Sequence, residues 1–208
     1  MKGHVIMALA QLKTYTEEDY YNLPEDVRAE LINGQIYYMS APSRIHQEIL
    51  GFIFKKIAYY IDLKRGDCKV YPSPFAVKLF EDDNITIVEP DISVICDPDR
   101  LTDRGCCGAP DWIIEIISPS TSSHDYIRKL NLYADAGVKE YWIVDPNLRS
   151  IEVYHLFNGR YKIDEIYALF PDAFGITDRE REESKKELPV SFYDDLNIPL
   201  EEIFQNLF

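Results

Sequence analysis

No stretch of this sequence approaches the ~20 consecutive apolar residues that span a bilayer. No membrane-crossing helix is therefore expected. Residues 1–12 are mildly apolar but lack both a long hydrophobic run and a small-residue cleavage site, so no cleavable leader is expected. Positive charge is scarce as well. The 22 Lys and Arg stand against 36 Asp and Glu, a net charge of −14. That balance excludes nucleic-acid binding through a globally basic surface. Contact with phosphates would need a local basic strip, or cations between carboxylate and phosphate. The same excess supplies solubility and self-repulsion. Cysteine is limited to Cys68, Cys96, Cys106 and Cys107, whose spacing matches no paired C-x-x-C zinc arrangement. Cys106 and Cys107 are adjacent and pair awkwardly with each other, so reduced thiols in a cytoplasm are expected. The four histidines, His4, His46, His124 and His155, are too scattered for a compact zinc triad. There is no G-x-x-x-x-G-K-[S/T] loop, no G-x-G-x-x-G after a strand and no G-x-S-x-G elbow.

What is present is an ordinary globular balance of apolar and charged residues over 208 positions, which fits one domain with a real core. Thr16 to Leu23 predicts a short helix capped by Thr16, with Asp19 in its first turn. Asn33-Gly34 and Asn158-Gly159, each between apolar runs, predict two hairpins. Ile45, Ile49, Ile53, Ile57 and Ile61 recur every fourth residue, predicting a long helix over 43–63 with Ser43 as its cap. Phe75 to Phe80, Ile85 to Val88 and Ile92 to Cys96 read as strands, with Pro90 at an edge or bulge. Trp112 to Ile117 reads as a central strand. A helix from Ser122 or Ser123 to Ala136 follows, ended by Gly137. Glu140 to Val144 reads as a further strand. Residues 179–187 are a solvated charge run, and 188–208 an aromatic, apolar tail that docks on the body or on a partner. The expected architecture is α/β, a mixed sheet with helices covering a face.

Three carboxylates stand out by context. Glu30 begins the first hairpin, Asp91 precedes the apolar run Ile92 to Ile95, and Glu115 is flanked on both sides by isoleucines. A buried carboxylate costs several kcal/mol or shifts its pKa unless it is paired. Asp125, Lys129 and Tyr133 fall at i, i+4 and i+8 on one helix face. Lys129 can therefore swing back toward Glu115, as a plain ion pair holding helix to sheet or as part of a site. The chemistry that wants this set is phosphodiester hydrolysis. Asp91 and Glu115 would hold Mg²⁺ or Mn²⁺ through oxygen ligands, with Glu30 completing the shell or positioning a second ion. The backbone carbonyl of Ile116 is a further donor. Lys129 would orient a water or steady developing negative charge. His46 would approach the phosphate or Glu30, or else lie on a polar helix surface, and Gln47 has the same status. Tyr133 and Tyr141 hydrogen-bond in a cleft or pack in the core. Asp125 restrains Lys129 or decorates the helix N-terminus.

The segments Glu30-Leu31-Ile32-Asn33-Gly34, Met39-Ser40-Ala41-Pro42, His46-Gln47, Glu89-Pro90-Asp91-Ile92-Ser93-Val94, Glu115-Ile116-Ile117-Ser118-Pro119-Ser120, Asp125 through Lys129 and Glu140 to Pro146 resemble the Uma-two family. That family is placed in the restriction-endonuclease-like PD-(D/E)xK superfamily, and the resemblance spans roughly Tyr15 to Ile166. It implies a single domain over 1–208 with a mixed central sheet flanked by helices and hairpin additions at both ends. It also implies that Asp91, Glu115 and Glu30 are the acidic site residues. The superfamily's lysine two residues after the glutamate is Ile117 here, and Lys129 matches the family's displaced helix lysine. The implied activity is metal-dependent DNA cleavage. Enzymes that cut both strands of a duplex often pair about a two-fold axis, so a homodimer is expected, for which the 192–208 tail offers a surface. Two alternatives stay open: a catalytically silent binding or assembly module, and a hydrolase of a small phosphorylated molecule. A basic cleft of Lys55, Lys56, Lys64 and Arg65 near the site would favour the nuclease.

Overall fold

The computed structural model describes residues 13–118, 123–169, 177 and 186–205. The first described element is α1 (Glu17–Tyr21), capped at its N-terminus by a reciprocal capping box between Thr16 and Asp19. Strands β1 (Ala29–Ile32) and β2 (Gln35–Tyr38) form the first hairpin. Asn33 at φ 50° and Gly34 at φ 74° supply the left-handed turn that the Asn-Gly pair predicts. The long helix α2 (Arg44–Lys64) starts where the Ser43 hydroxyl accepts from the His46 amide. Its isoleucine stripe, Ile49, Ile53, Ile57 and Ile61, is buried. It ends on Arg65 in the left-handed conformation, at φ 53°.

Strands β3 (Lys69–Pro72), β4 (Val77–Lys78), β5 (Ile87–Val88), β6 (Ile92–Ile95), β7 (Leu101–Thr102), β8 (Gly105–Cys107) and β9 (Trp112–Ile116) follow. Then come α3 (Ser123–Ala136), β10 (Glu140–Asp145), β11 (Ser150–Phe157), β12 (Arg160–Ala168), β13 (Glu187–Val190), β14 (Tyr193–Pro199) and α4 (Leu200–Phe204). They build the two-stranded β13–β14 sheet and two six-stranded sheets. One has the order β2-β1-β5-β4-β8-β7, the other β12-β11-β10-β9-β6-β3. The second is the mixed central sheet, antiparallel except for the β9–β10 pair, which α3 connects as a crossover. Pro90 is neither an edge nor a bulge. It lies between β5 of one sheet and β6 of the other, where the chain changes sheets. The strand expected over 75–80 contracts to Val77–Lys78.

Side-chain alternation sorts the central sheet into two faces. Trp112, Ile114 and Ile116 of β9 pack with the α2 isoleucines and with Leu188, Ile198 and Phe204 of the C-terminal segment. Ile113 faces the other core, with Val77, Leu132 and Tyr133. Glu115 shares the parity of Ile113 and so lies on the α3 side. The C-terminal tail docks on its own body: Leu196, Ile198, Leu200, Ile203 and Phe204 are buried. The dimer surface expected from that tail is thus largely spent within the chain, because these side chains complete the core over α2. The charge run over 179–187 lies almost wholly outside the described residues.

One expectation about cysteine is overturned. Cys68 and Cys96 are joined by a disulfide, and only Cys106 and Cys107 are free thiols. The β3–β6 register explains the pairing. Lys69 is opposite Ile95, so the next residue on each strand, Cys68 and Cys96, must meet. No helix among the described residues is long and apolar enough to cross a membrane.

Candidate active site

Two sheets and two helices meet at one cavity of about 450 Å³, lined by Arg28, Glu30, His46, Asp91, Glu115 and Lys129 among others. Glu30 comes from β1, Asp91 from the turn into β6 and Glu115 from β9, while α2 brings His46 and α3 brings Lys129 and Tyr133. The 60 residues between Glu30 and Asp91 are closed by β1 pairing with β5, and β6 pairing with β9 brings Asp91 to Glu115.

Lys129 sits between two carboxylates. Its Nζ donates to Glu115 Oε1 at 2.9 Å and to Glu30 Oε1 at 3.0 Å. Glu30 Oε1 also accepts from the Glu89 amide at 3.1 Å. Tyr133 donates its hydroxyl to Glu115 Oε1 at 2.6 Å. Asp91 Oδ2 accepts from the Ile116 amide at 2.8 Å, which fixes Asp91 to the residue beside Glu115. His46 Nε2 lies 3.0 Å from the same Asp91 oxygen, and its Nδ1 lies 3.3 Å from Gln47 Oε1. His46 therefore addresses Asp91 and not Glu30, and it is buried rather than a surface residue. Gln47 is exposed and touches the site through His46. Tyr141 is buried and lines the cavity wall. The Asp125 side chain lies outside the described residues.

The electrostatics follow from burial and charge count. Burial pushes the Glu115 carboxyl up to about 7, Lys129 works against that, and Asp91 and Glu30 add to it. Burial alone would lower Lys129, but Glu115 and Glu30 outweigh it and hold the ammonium protonated. Burial lowers His46 too, and the bond to Asp91 reverses the sign and raises it. Three carboxylates thus share one lysine and one histidine, a surplus of negative charge that a cation would balance.

The donor set can be tested against a divalent ion. No group of three or more His, Cys, Asp or Glu side chains is arranged to hold a metal among the described residues. Glu30, Asp91 and Glu115 are therefore not an assembled three-carboxylate shell. Glu30 spends Oε1 on Lys129 and the Glu89 amide, and Glu115 spends Oε1 on Lys129 and Tyr133. All three carboxylates line one cavity, each with one oxygen outside the described hydrogen bonds: Glu30 Oε2, Asp91 Oδ1 and Glu115 Oε2. Mg²⁺ retains several waters and is held through one or two carboxylates, so Asp91 and Glu115, brought side by side through the Ile116 amide, fit that ion.

The expected basic cleft does not form at this cavity. Lys56 pairs with Glu202 and Lys64 with Asp195, where the C-terminal segment crosses α2. Sequence reasoning missed a second cluster. Arg28 donates from Nη2 and Nε to Glu89 Oε2 at 2.9 and 3.3 Å, and Tyr20 donates to Glu89 Oε1 at 2.9 Å. Its signal was readable, since Arg28 stands two residues before Glu30 and shares its strand parity.

Comparison with known proteins agrees with this architecture. Over 93% of this chain and 99% of the other, the fold matches a crystal structure from Anabaena variabilis, described as a putative nuclease belonging to DUF820. The TM-score is 0.70 and the sequence identity 23%. An uncharacterized protein of Synechocystis sp., slr1290, is 30% identical over 141 residues, 66% of this chain and 72% of that one. The sequence model of Uma2, described as putative restriction endonuclease, matches residues 17–189. The match runs past the core expected at 15–166 and takes in β13, which packs against α2 with the rest of the C-terminal segment. The chain belongs to the Uma2 family, with the restriction-endonuclease-like fold of that family.

Proposed function

We propose that this protein is a divalent-metal-dependent hydrolase of phosphodiester bonds in DNA. The observation that carries this reading is the position of Lys129, whose Nζ reaches both Glu115 and Glu30 within 3.0 Å from a helix rather than from the strand position held by Ile117. The amine needs a place in space, not in sequence.

In this reading Asp91 and Glu115 would hold Mg²⁺ or Mn²⁺, aided by the Ile116 carbonyl, and the ion would supply charge neutralisation and an acidified water. Glu30 anchors Lys129. Lys129 opposes the rise that burial imposes on Glu115 and presents positive charge where a phosphorane-like centre gains negative charge. His46 orients Asp91. Tyr133 fixes the Glu115 carboxylate.

Metal-dependent cleavage of single- and double-stranded DNA, with Asp91→Ala and Glu115→Ala beside wild type, tests the reading. Cleavage lost in both variants is expected. Cleavage unchanged in both overturns it. A silent binding module is the second reading, favoured by the absence of a three-ligand group among the described residues and by the −14 charge. It predicts no Mg²⁺ or Mn²⁺ binding that depends on Asp91. The same cavity would also admit a small phosphorylated molecule, for which turnover of a mononucleotide diester in place of DNA is the distinguishing result.

A further inference from the structure

Arg28 reaches the cavity wall with its guanidinium half used. Glu89 engages the lateral edge, Nε and Nη2, through one carboxylate oxygen. A guanidinium carries five N–H donors in a planar fork. The two contacts to Glu89 leave the terminal edge, with both Nη1 hydrogens and one Nη2 hydrogen, outside the described bonds. That edge is the fork that binds phosphate oxygens in pairs.

The guanidinium is also held in place. Glu89 is buried, and its second oxygen accepts from the Tyr20 hydroxyl. Its amide donates to Glu30, and the Arg28 carbonyl accepts from the Met39 amide. The Arg28 side chain keeps 32% exposure while Glu89 keeps 11%. A plain ion pair closing β1 on β5 has no need of an arginine that stays open to the cavity. Among the described lining residues the other fixed cation, Lys129, is shared by two carboxylates. A phosphate entering this acidic cavity meets Lys129 with one donor outside the described bonds and Arg28 with three, so Arg28 offers the paired edge.

From this geometry we infer that Arg28 is an anion subsite that takes a phosphate of the substrate strand, with Glu89 and Tyr20 as its positioning residues. The inference rests on the reading of the cavity as a phosphodiester site. It adds which residue grips the strand and the class of ligand gripped, a phosphate diester of a flexible single strand. Among the described lining residues only Arg28 and Lys129 carry a fixed positive charge, too few to track a rigid duplex.

The test is equilibrium binding of a fluorescein-labelled six-nucleotide thymidylate strand by anisotropy, in EDTA, so that cleavage and metal play no part. Arg28→Gln should weaken binding about tenfold or more, the scale of a charge-assisted pair. It should also lower the slope of log affinity against log salt by about 0.7, one phosphate contact on a single strand. Arg28→Lys should recover less than half of the loss, because an ammonium has no fork. Glu89→Gln should weaken binding about threefold with Arg28 intact. Lys64→Gln, the same charge change on the far end of α2, should stay within twofold. No measurable binding by wild type, Arg28→Gln within twofold of wild type, or a loss equalled by Lys64→Gln each overturns the assignment. Binding that depends on Arg28 together with absent cleavage would sink the nuclease reading and leave this subsite standing. If Arg28→Gln unfolds, Arg28→Lys and the salt slope decide the matter.

Discussion

Lys129 Nζ lies 2.9 Å from Glu115 Oε1 although the two residues belong to different elements 14 positions apart. The same nitrogen reaches Glu30, 99 positions away. One ammonium therefore joins α3 to both sheets at the cavity. Removing it leaves two carboxylates facing each other with little water. Lys129→Met should destabilise the fold by roughly 3–5 kcal/mol at pH 7, the cost of breaking a buried pair. The loss should shrink near pH 5, where protonation relieves the carboxylates. Urea denaturation at the two pH values checks both statements, and an equal loss at both would contradict the pairing.

Glu115 predicts a pH dependence with a definite sign. Its folded carboxyl titrates at about 7, above the usual 4.5, because burial disfavours the charged form. The folded state holds that proton more tightly than the unfolded chain. The stabilisation is full below pH 4.5 and is lost as pH rises through about 7. In metal-free buffer Glu115→Gln should flatten the fall in unfolding free energy between pH 5 and 7. A decline as steep as that of wild type would place Glu115 in water.

His46 should titrate above the ordinary histidine value, since the Asp91 contact outweighs burial. The raised folded value means that its stabilisation is complete below about pH 6.5 and disappears as pH climbs past the folded pKa. Ring-proton NMR in EDTA should show His46 falling in Asp91→Asn, where the anion is gone. A pKa unmoved by that substitution would break the His46–Asp91 relationship.

Phe204 is buried against the α2 face of the core. Phe204→Ala should cost about 3–5 kcal/mol by cavity formation, with the sedimentation coefficient unchanged. A shift from dimer to monomer with little loss of monomer stability would assign the tail to an interface instead.

Much of this site was legible in the sequence because each signal was local. Isoleucines on both sides made Glu115 conspicuous, and the i, i+4 spacing put Lys129 and Tyr133 on one face. Asn33-Gly34 and Asn158-Gly159 fixed two turns through their positive φ values. What stayed hidden depends on register and on pairing at a distance. Nothing in the spacing of Cys68 and Cys96 announces that β3 and β6 are neighbours. Pro90 marks a change of sheet, which reads locally like an edge. Arg28 and Glu89 are ordinary surface residues until β1 and β5 pair. The lysines of α2 suggested a basic cleft because the carboxylates that meet them, Asp195 and Glu202, lie more than 130 residues away.

The most direct test of the cavity's chemistry is a calorimetric titration with Mn²⁺ of wild type, Asp91→Asn and Glu115→Gln. One site on the wild type, lost or weakened about tenfold or more in each variant, is the predicted result. Binding indifferent to both substitutions, or no binding by a folded wild type, would contradict a cation held between Asp91 and Glu115.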